Sequence, residues 1–176
     1  LYALGEIVLV VVGILIALNI NNANELSKLR QKEKVLLEEM QVNLQDDLAD
    51  LLGNVEGNRL RIKANERVLK ALSEREPMSD SLRWFFGNIL GNYQFGENTA
   101  SWENLKSIGL DIISDKDLRT AVSQLYTHKY EYLENLERGL DDPYQWNQLY
   151  PQVLKHLNME TLWVSATPEN YEGLMD

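Results

Sequence analysis

The chain opens on "LYALGEIVLVVVGILIALNI", twenty residues with thirteen Leu, Ile or Val and one carboxylate, Glu6. As a helix this stretch rises about 30 Å, the thickness of a bilayer's hydrocarbon core. At roughly 0.3–0.6 kcal/mol each, the thirteen aliphatic residues favour insertion by about 4–8 kcal/mol, against about 2.5–3.5 kcal/mol for one central charge. Glu6 and Asn19 lie towards the ends, where that cost is smaller. A cleaved signal peptide would carry a shorter run and a small-x-small site. The residues after Leu18, "NINNANE", offer no such site. A core helix of a soluble domain would be apolar on one face rather than all round. The stretch therefore reads as a transmembrane helix over residues 1–24. Because the sequence begins at Leu1 rather than Met, a preceding segment is expected.

At 100° per residue, Glu6, Gly13, Ala17 and Asn24 fall within about 20° of one line along that helix. Gly13 and Ala17 form a small-xxx-small pair, which lets two helix backbones approach closely. These four residues are the candidate membrane-helix packing site. The competing readings are a proton or ion site at Glu6, and a Glu6 that is simply hydrated at headgroup depth.

"YALGEIVLVVVGILIALNINNANE" resembles the opening of an uncharacterised family of single-span envelope proteins of Bacteroidota. The fit rests on Tyr2, Ala3, Gly5, Glu6, Ile7, Gly13 to Leu18, Ile20, Asn21, Asn22, Asn24 and Glu25. Ala23 departs from it, standing where that family usually has Trp. A second block, "SWENLKSIGLDIISDKDLR", resembles the same family through Ser107, Gly109, Ile112, Ile113, Leu118 and Arg119. The resemblance implies topology rather than activity. It places the N-terminus in the cytoplasm and the following domain in the periplasm, across a bacterial inner membrane. The residues flanking the span do not decide orientation, since Lys28, Arg30, Lys32 and Lys34 are interleaved with Glu25, Glu33, Glu38 and Glu39.

Beyond the span, residues 25–75 read as one long amphipathic helix. Leu37, Met40, Leu44, Leu48, Leu51, Val55, Ile62, Leu69 and Leu72 recur at threes, fours and sevens. That spacing suits a coiled-coil stalk or a helix packed on its own domain. Residues 76–176 read as the helical remainder of the bundle. "SEREPMSD" is a loop, and helices are expected over 82–90 and 100–107. A further helix is expected to be capped by Ser114 and stopped by Gly139, and another to open at Asp142-Pro143, with Pro151 threatening a kink. The fold class expected is all-α: one N-terminal transmembrane helix, a long helix and a small helical bundle domain.

The chemistry-bearing residues form no recognisable constellation. The chain has no Cys, which excludes disulfides and thiolate chemistry. A net charge of −10 argues against a nucleic-acid partner, which would need clustered Lys and Arg. His128 and His156 are the only histidines, and a metal site needs three or four convergent ligands. Asp46, Asp47 and Asp50 suit a solvated face better than a cation site. Trp84, Trp102, Trp146 and Trp163 could line a pocket or fill the core. No cofactor, metal or catalytic residue is expected. The expected role is a non-enzymatic structural or accessory subunit whose partners are the lipid bilayer and a second copy or a larger membrane complex. The alternative is a periplasmic ligand-binding sensor with an aromatic pocket.

Overall fold

The computed structural model describes residues 2–161 and 164–176. Helix accounts for 79% of the chain and strand for 4%, so the all-α class holds, with one hairpin as the departure among the described residues. Helix α1 runs unbroken over Tyr2–Ser73. No Pro interrupts it, and Gly53 and Gly57, each costing about 1 kcal/mol relative to Ala, do not break it. Its C-terminus is closed by two bonds: Glu76 N–H to Ala71 O at 2.9 Å and Arg75 N–H to Leu72 O at 3.2 Å. Arg75 takes the left-handed conformation (φ 53°) that this cap requires.

The chain forms two compact units, and α1 contributes to both. The first comprises Leu1–Leu44 and Asn98–Tyr126. Its buried hydrophobic side chains among the described residues are Leu36 and Met40 of α1, Trp102 and Leu105 of α3 (Ala100–Ile108), then Ile113, Val122 and Tyr126. Helix α3 ends at Gly109 (φ 111°), and a 3-10 turn, Leu110–Ile112, leads to α4 (Lys116–Gln124). The cap of α4 is Asp115, whose carboxylate accepts Asp117 N–H (2.8 Å) and Leu118 N–H (3.0 Å). That corrects the expectation for Ser114, whose N–H and hydroxyl instead donate to Glu33 at 2.7 and 2.8 Å.

The second unit comprises Gln45–Glu97 and Thr127–Asp176. Here α2 (Asp80–Gly87), capped by Ser79, packs with α1 and a terminal hairpin. The core cluster is Val68, Ala71, Leu82, Phe86, Leu157 and Ala166. Strands β1 (Leu157–Thr161) and β2 (Ser165–Pro168) pair antiparallel, Leu157 opposite Pro168 and Met159 opposite Ala166. Ala166 and Pro168 point inward and are buried. Gly87 permits this packing, since a Cβ there would stand 2.6 Å from the backbone nitrogen of Ser165.

Gly139 does not stop a helix. After α4 the helical run continues to His156 through π turns at Leu125–Tyr130, Glu137–Asp141 and Gln145–Leu149, which alternate with α5 (Glu131–Leu136), α6 (Asp142–Tyr144) and α7 (Tyr150–His156). Pro143 and Pro151 each follow one of these wide turns. A proline has no N–H and crowds the carbonyl four residues back. A wider turn accommodates both without ending the run.

The long apolar pattern of α1 resolves into two faces. Buried or half-buried positions advance by threes, fours and sevens: Leu36, Met40 and Asn43 in the first unit, then Asp47, Asn54, Gly57, Arg61, Ala64, Val68 and Ala71 in the second. Met40, Leu44, Leu51 and Leu72 face inward with them, whereas Leu48, Val55, Ile62 and Leu69 are exposed.

Candidate functional site

Glu6, Gly13, Ala17 and Asn24 all lie on α1 and all are exposed where their side chains are described. A Cβ added at Gly13 would meet nothing within 4 Å, so nothing in this chain requires glycine there. The aliphatic residues around them are equally uncovered: Leu9 is 76% exposed, Ile14 54% and Ile20 66%. An 18-residue window of α1 with a mean hydropathy of 1.5 has none of its residues buried. The helix is long and apolar enough to cross a membrane.

The aromatic candidates separate. Trp102 is buried and stacks on Tyr126 at 5.0 Å between ring centroids, with the Lys106 ammonium 5.7 Å from its ring. Trp146 stacks on Tyr150 at 4.5 Å, and Trp84 meets the edge of Phe85 at 5.1 Å. Trp163 lies outside the described residues. A groove of about 770 Å³ in the first unit is walled by Leu26, Leu29, Ile108 and Ile112, with Arg30, Glu33 and Asp111 at its edge, and no tryptophan lines it. Both of its carboxylates are occupied, Glu33 by Ser114 and Asp111 by Arg119.

His128 falls in the first π turn and His156 ends α7. Among the described residues, no three His, Asp or Glu side chains converge as metal ligands. Of the acidic trio, Asp46 and Asp50 are exposed, as a solvated face requires, and Asp47 is not. Asp47 is buried and accepts the Tyr130 hydroxyl at 2.6 Å, and Asp50 accepts Gly96 N–H at 3.0 Å.

A polar network that sequence reasoning missed fixes the loop of residues 88–97 in the second unit. Asn54 donates to Gln94 O at 2.8 Å, Asn65 to Ile89 O at 2.9 Å, and Arg61 to Gly91 O. With Asp50, these residues follow spacings of four, seven and four, a single helical face. From the π-containing run, Asp142 accepts Asn92 (2.7 Å) and Gln94 (2.5 Å) amides. Those bonds hold its carboxyl below the ordinary range, against a smaller opposing effect of burial. Glu137 accepts Phe95 N–H at 3.0 Å, yet burial pushes its carboxyl above the ordinary range. Gln145, 1% exposed, donates to Asp141 at 2.7 Å. At the other end of this unit, Arg67 and Glu76 form a two-bond ion pair (2.5 and 3.1 Å) that lowers the Glu76 carboxyl. The bonds from Asn54, Arg61, Asn65 and Glu137 hold the backbone of residues 88–97 in place.

A family model described as "Family of unknown function (DUF6090)" matches residues 6–165. No curated protein and no solved structure matches the chain.

Proposed function

We propose, for a chain that belongs to a family of unknown function (DUF6090), a non-enzymatic role as a membrane-anchored structural or accessory subunit. The observation that carries this reading is the uncovered apolar start of α1: its aliphatic side chains have no partner in their own chain among the described residues. In water such a surface would be unfavourable by roughly 25 cal/mol per Å² exposed; in hydrocarbon that cost is absent. The span packs through Glu6, Gly13, Ala17 and Asn24 against itself or a larger membrane complex, with Gly13 and Ala17 giving the close approach. The resemblance to single-span envelope proteins supports a bacterial inner-membrane location, with the N-terminus cytoplasmic and the helical scaffold periplasmic.

Two measurements test this. The full chain is expected to stay with the membrane pellet through an alkaline carbonate wash and to leave only with detergent; release by carbonate would refute the anchor. Gentle solubilisation is then expected to yield an oligomer or a complex with another membrane protein, and a partner-free monomer would count against the accessory role.

A further inference from the structure

The groove of about 770 Å³ in the first unit lies where α1 leaves the proposed span. Two of its walls, Leu26 and Leu29, follow Asn24 by two and five residues on an unbroken helix. The helical rise puts them about 3–8 Å beyond the span, the depth of the headgroup layer. Ile108 and Ile112 close the other side, from the end of α3 and the 3-10 turn after it. Leu26, Leu29 and Ile108 are each just over half exposed, so the groove opens outward on aliphatic side chains. Direction agrees with depth. Val11, Leu15, Leu18, Leu26 and Leu29 fall within about 80° of one another around α1, and all are exposed. Groove and span thus share one face, aliphatic but for Asn22. The stripe of Glu6, Gly13, Ala17 and Asn24 lies on the other side of the helix, about 160° away. A partner helix seated on that stripe leaves the groove face to lipid.

The charges at the mouth suit an anion. Asp111 is paired with Arg119. Glu33 turns a carboxylate oxygen to the Ser114 N–H and hydroxyl at 2.7 and 2.8 Å. Arg30 is exposed, and among the described residues no ion pair or hydrogen bond holds its guanidinium. It is the one cation lining the groove among these residues. A guanidinium binds phosphate oxygens through paired N–H donors, and aliphatic walls suit the first carbons of an acyl chain. We propose that this groove seats a phospholipid of the adjoining leaflet, with its phosphate on Arg30 and the start of an acyl chain against Leu26, Leu29, Ile108 and Ile112. The inference rests on the membrane-anchored reading above. The seated lipid ties the end of α3 to the bilayer surface.

The full chain is reconstituted in phosphatidylcholine liposomes containing a phosphatidylglycerol with a diazirine near the head of one acyl chain. After irradiation the protein is cut with trypsin, and adducts are located by mass spectrometry. Lys106 and Lys116 bound a peptide, residues 107–116, that carries Ile108 and Ile112 of the groove. Adducts are expected on this peptide and on the span, and few on residues 35–59, farther along α1. Arg30→Gln is expected to cut labelling of 107–116 by about tenfold, as loss of one charge-assisted hydrogen bond would, and to leave labelling of the span unchanged. Arg30→Lys, which keeps the charge, is expected to retain most of the labelling, and glycerol phosphate added to the buffer is expected not to compete. Labelling of 107–116 no stronger than that of 35–59, or unaffected by Arg30→Gln, would overturn the lipid seat; competition by glycerol phosphate would overturn it in favour of a soluble phosphate ligand. If the span is labelled and 107–116 is not, the anchored reading stands and the groove alone falls; if neither is labelled, both fall together.

Discussion

Arg75 occupies a left-handed position at the end of α1, where glycine is the usual occupant. Arg75→Gly is expected to raise stability by about 1 kcal/mol, read from the thermal midpoint, because it removes a steric penalty of roughly that size. The ion pair it would lose, with Asp176 at 3.4 Å, is exposed on both sides and worth little. Asp142 sets a pH dependence. Its folded-state pKa lies below the 3.8 of an unperturbed carboxyl, so its contribution is present above about 3.8 and is lost as pH falls through the lower folded value. Glu137 acts oppositely: its pKa is raised above 4.5, so stability declines as pH rises from 4.5 through its folded value. Asp142→Asn is therefore expected to flatten the acid limb of a stability–pH curve below pH 3.8, and an unchanged limb would contradict the assignment. Little of this was legible beforehand. Asp46 and Asp50 are exposed, as a solvated patch requires, but a one-dimensional pattern does not show that the Tyr130 hydroxyl, 83 residues along the chain, donates to a buried Asp47. The spacing of Asp50, Asn54, Arg61 and Asn65 was the available signal.

The helices were the most legible elements, because period and punctuation agree. Helix α2 begins after Ser79, α3 ends at Gly109, and α1 ends just before the Pro-containing loop. The failures have definite causes. Asp115 rather than Ser114 caps α4, while the Ser114 N–H and hydroxyl donate to the Glu33 carboxylate. Asp115→Ala is expected to cost about 1 kcal/mol in denaturant unfolding, the usual loss for an N-cap. Gly139 gave a false stop because a π turn absorbs it, and such turns have no sequence signature as clear as a cap; an α-helical segment does open at Asp142-Pro143, as expected, and the run continues past Pro151. The hairpin escaped notice because β1 and β2 are five and four residues of mixed polarity, too short for a period to show. In the first unit's core, Leu105→Ala removes a fully buried side chain and is expected to cost about 2–5 kcal/mol.

At the scale of the whole molecule, the chain joins a helical body with buried cores to a helix start that buries nothing on it. Among the described residues, the buried side chains of α1 begin at Leu36. Deleting residues 1–24 is therefore expected to leave the thermal transition of the remainder intact while moving it from the membrane to the soluble fraction without detergent. The stripe Glu6, Gly13, Ala17 and Asn24 was readable from spacing alone, because helical geometry suffices to align it. Which molecule it meets is not encoded in spacing. The central claim is that hydrocarbon surrounds the start of α1, and spin labels at Val11→Cys and Ile14→Cys in liposomes test it most directly. The account predicts relaxation enhanced by oxygen and insensitive to a water-soluble nickel chelate at these sites, with the reverse for Leu48→Cys. Strong nickel relaxation at residues 11 and 14 would contradict it.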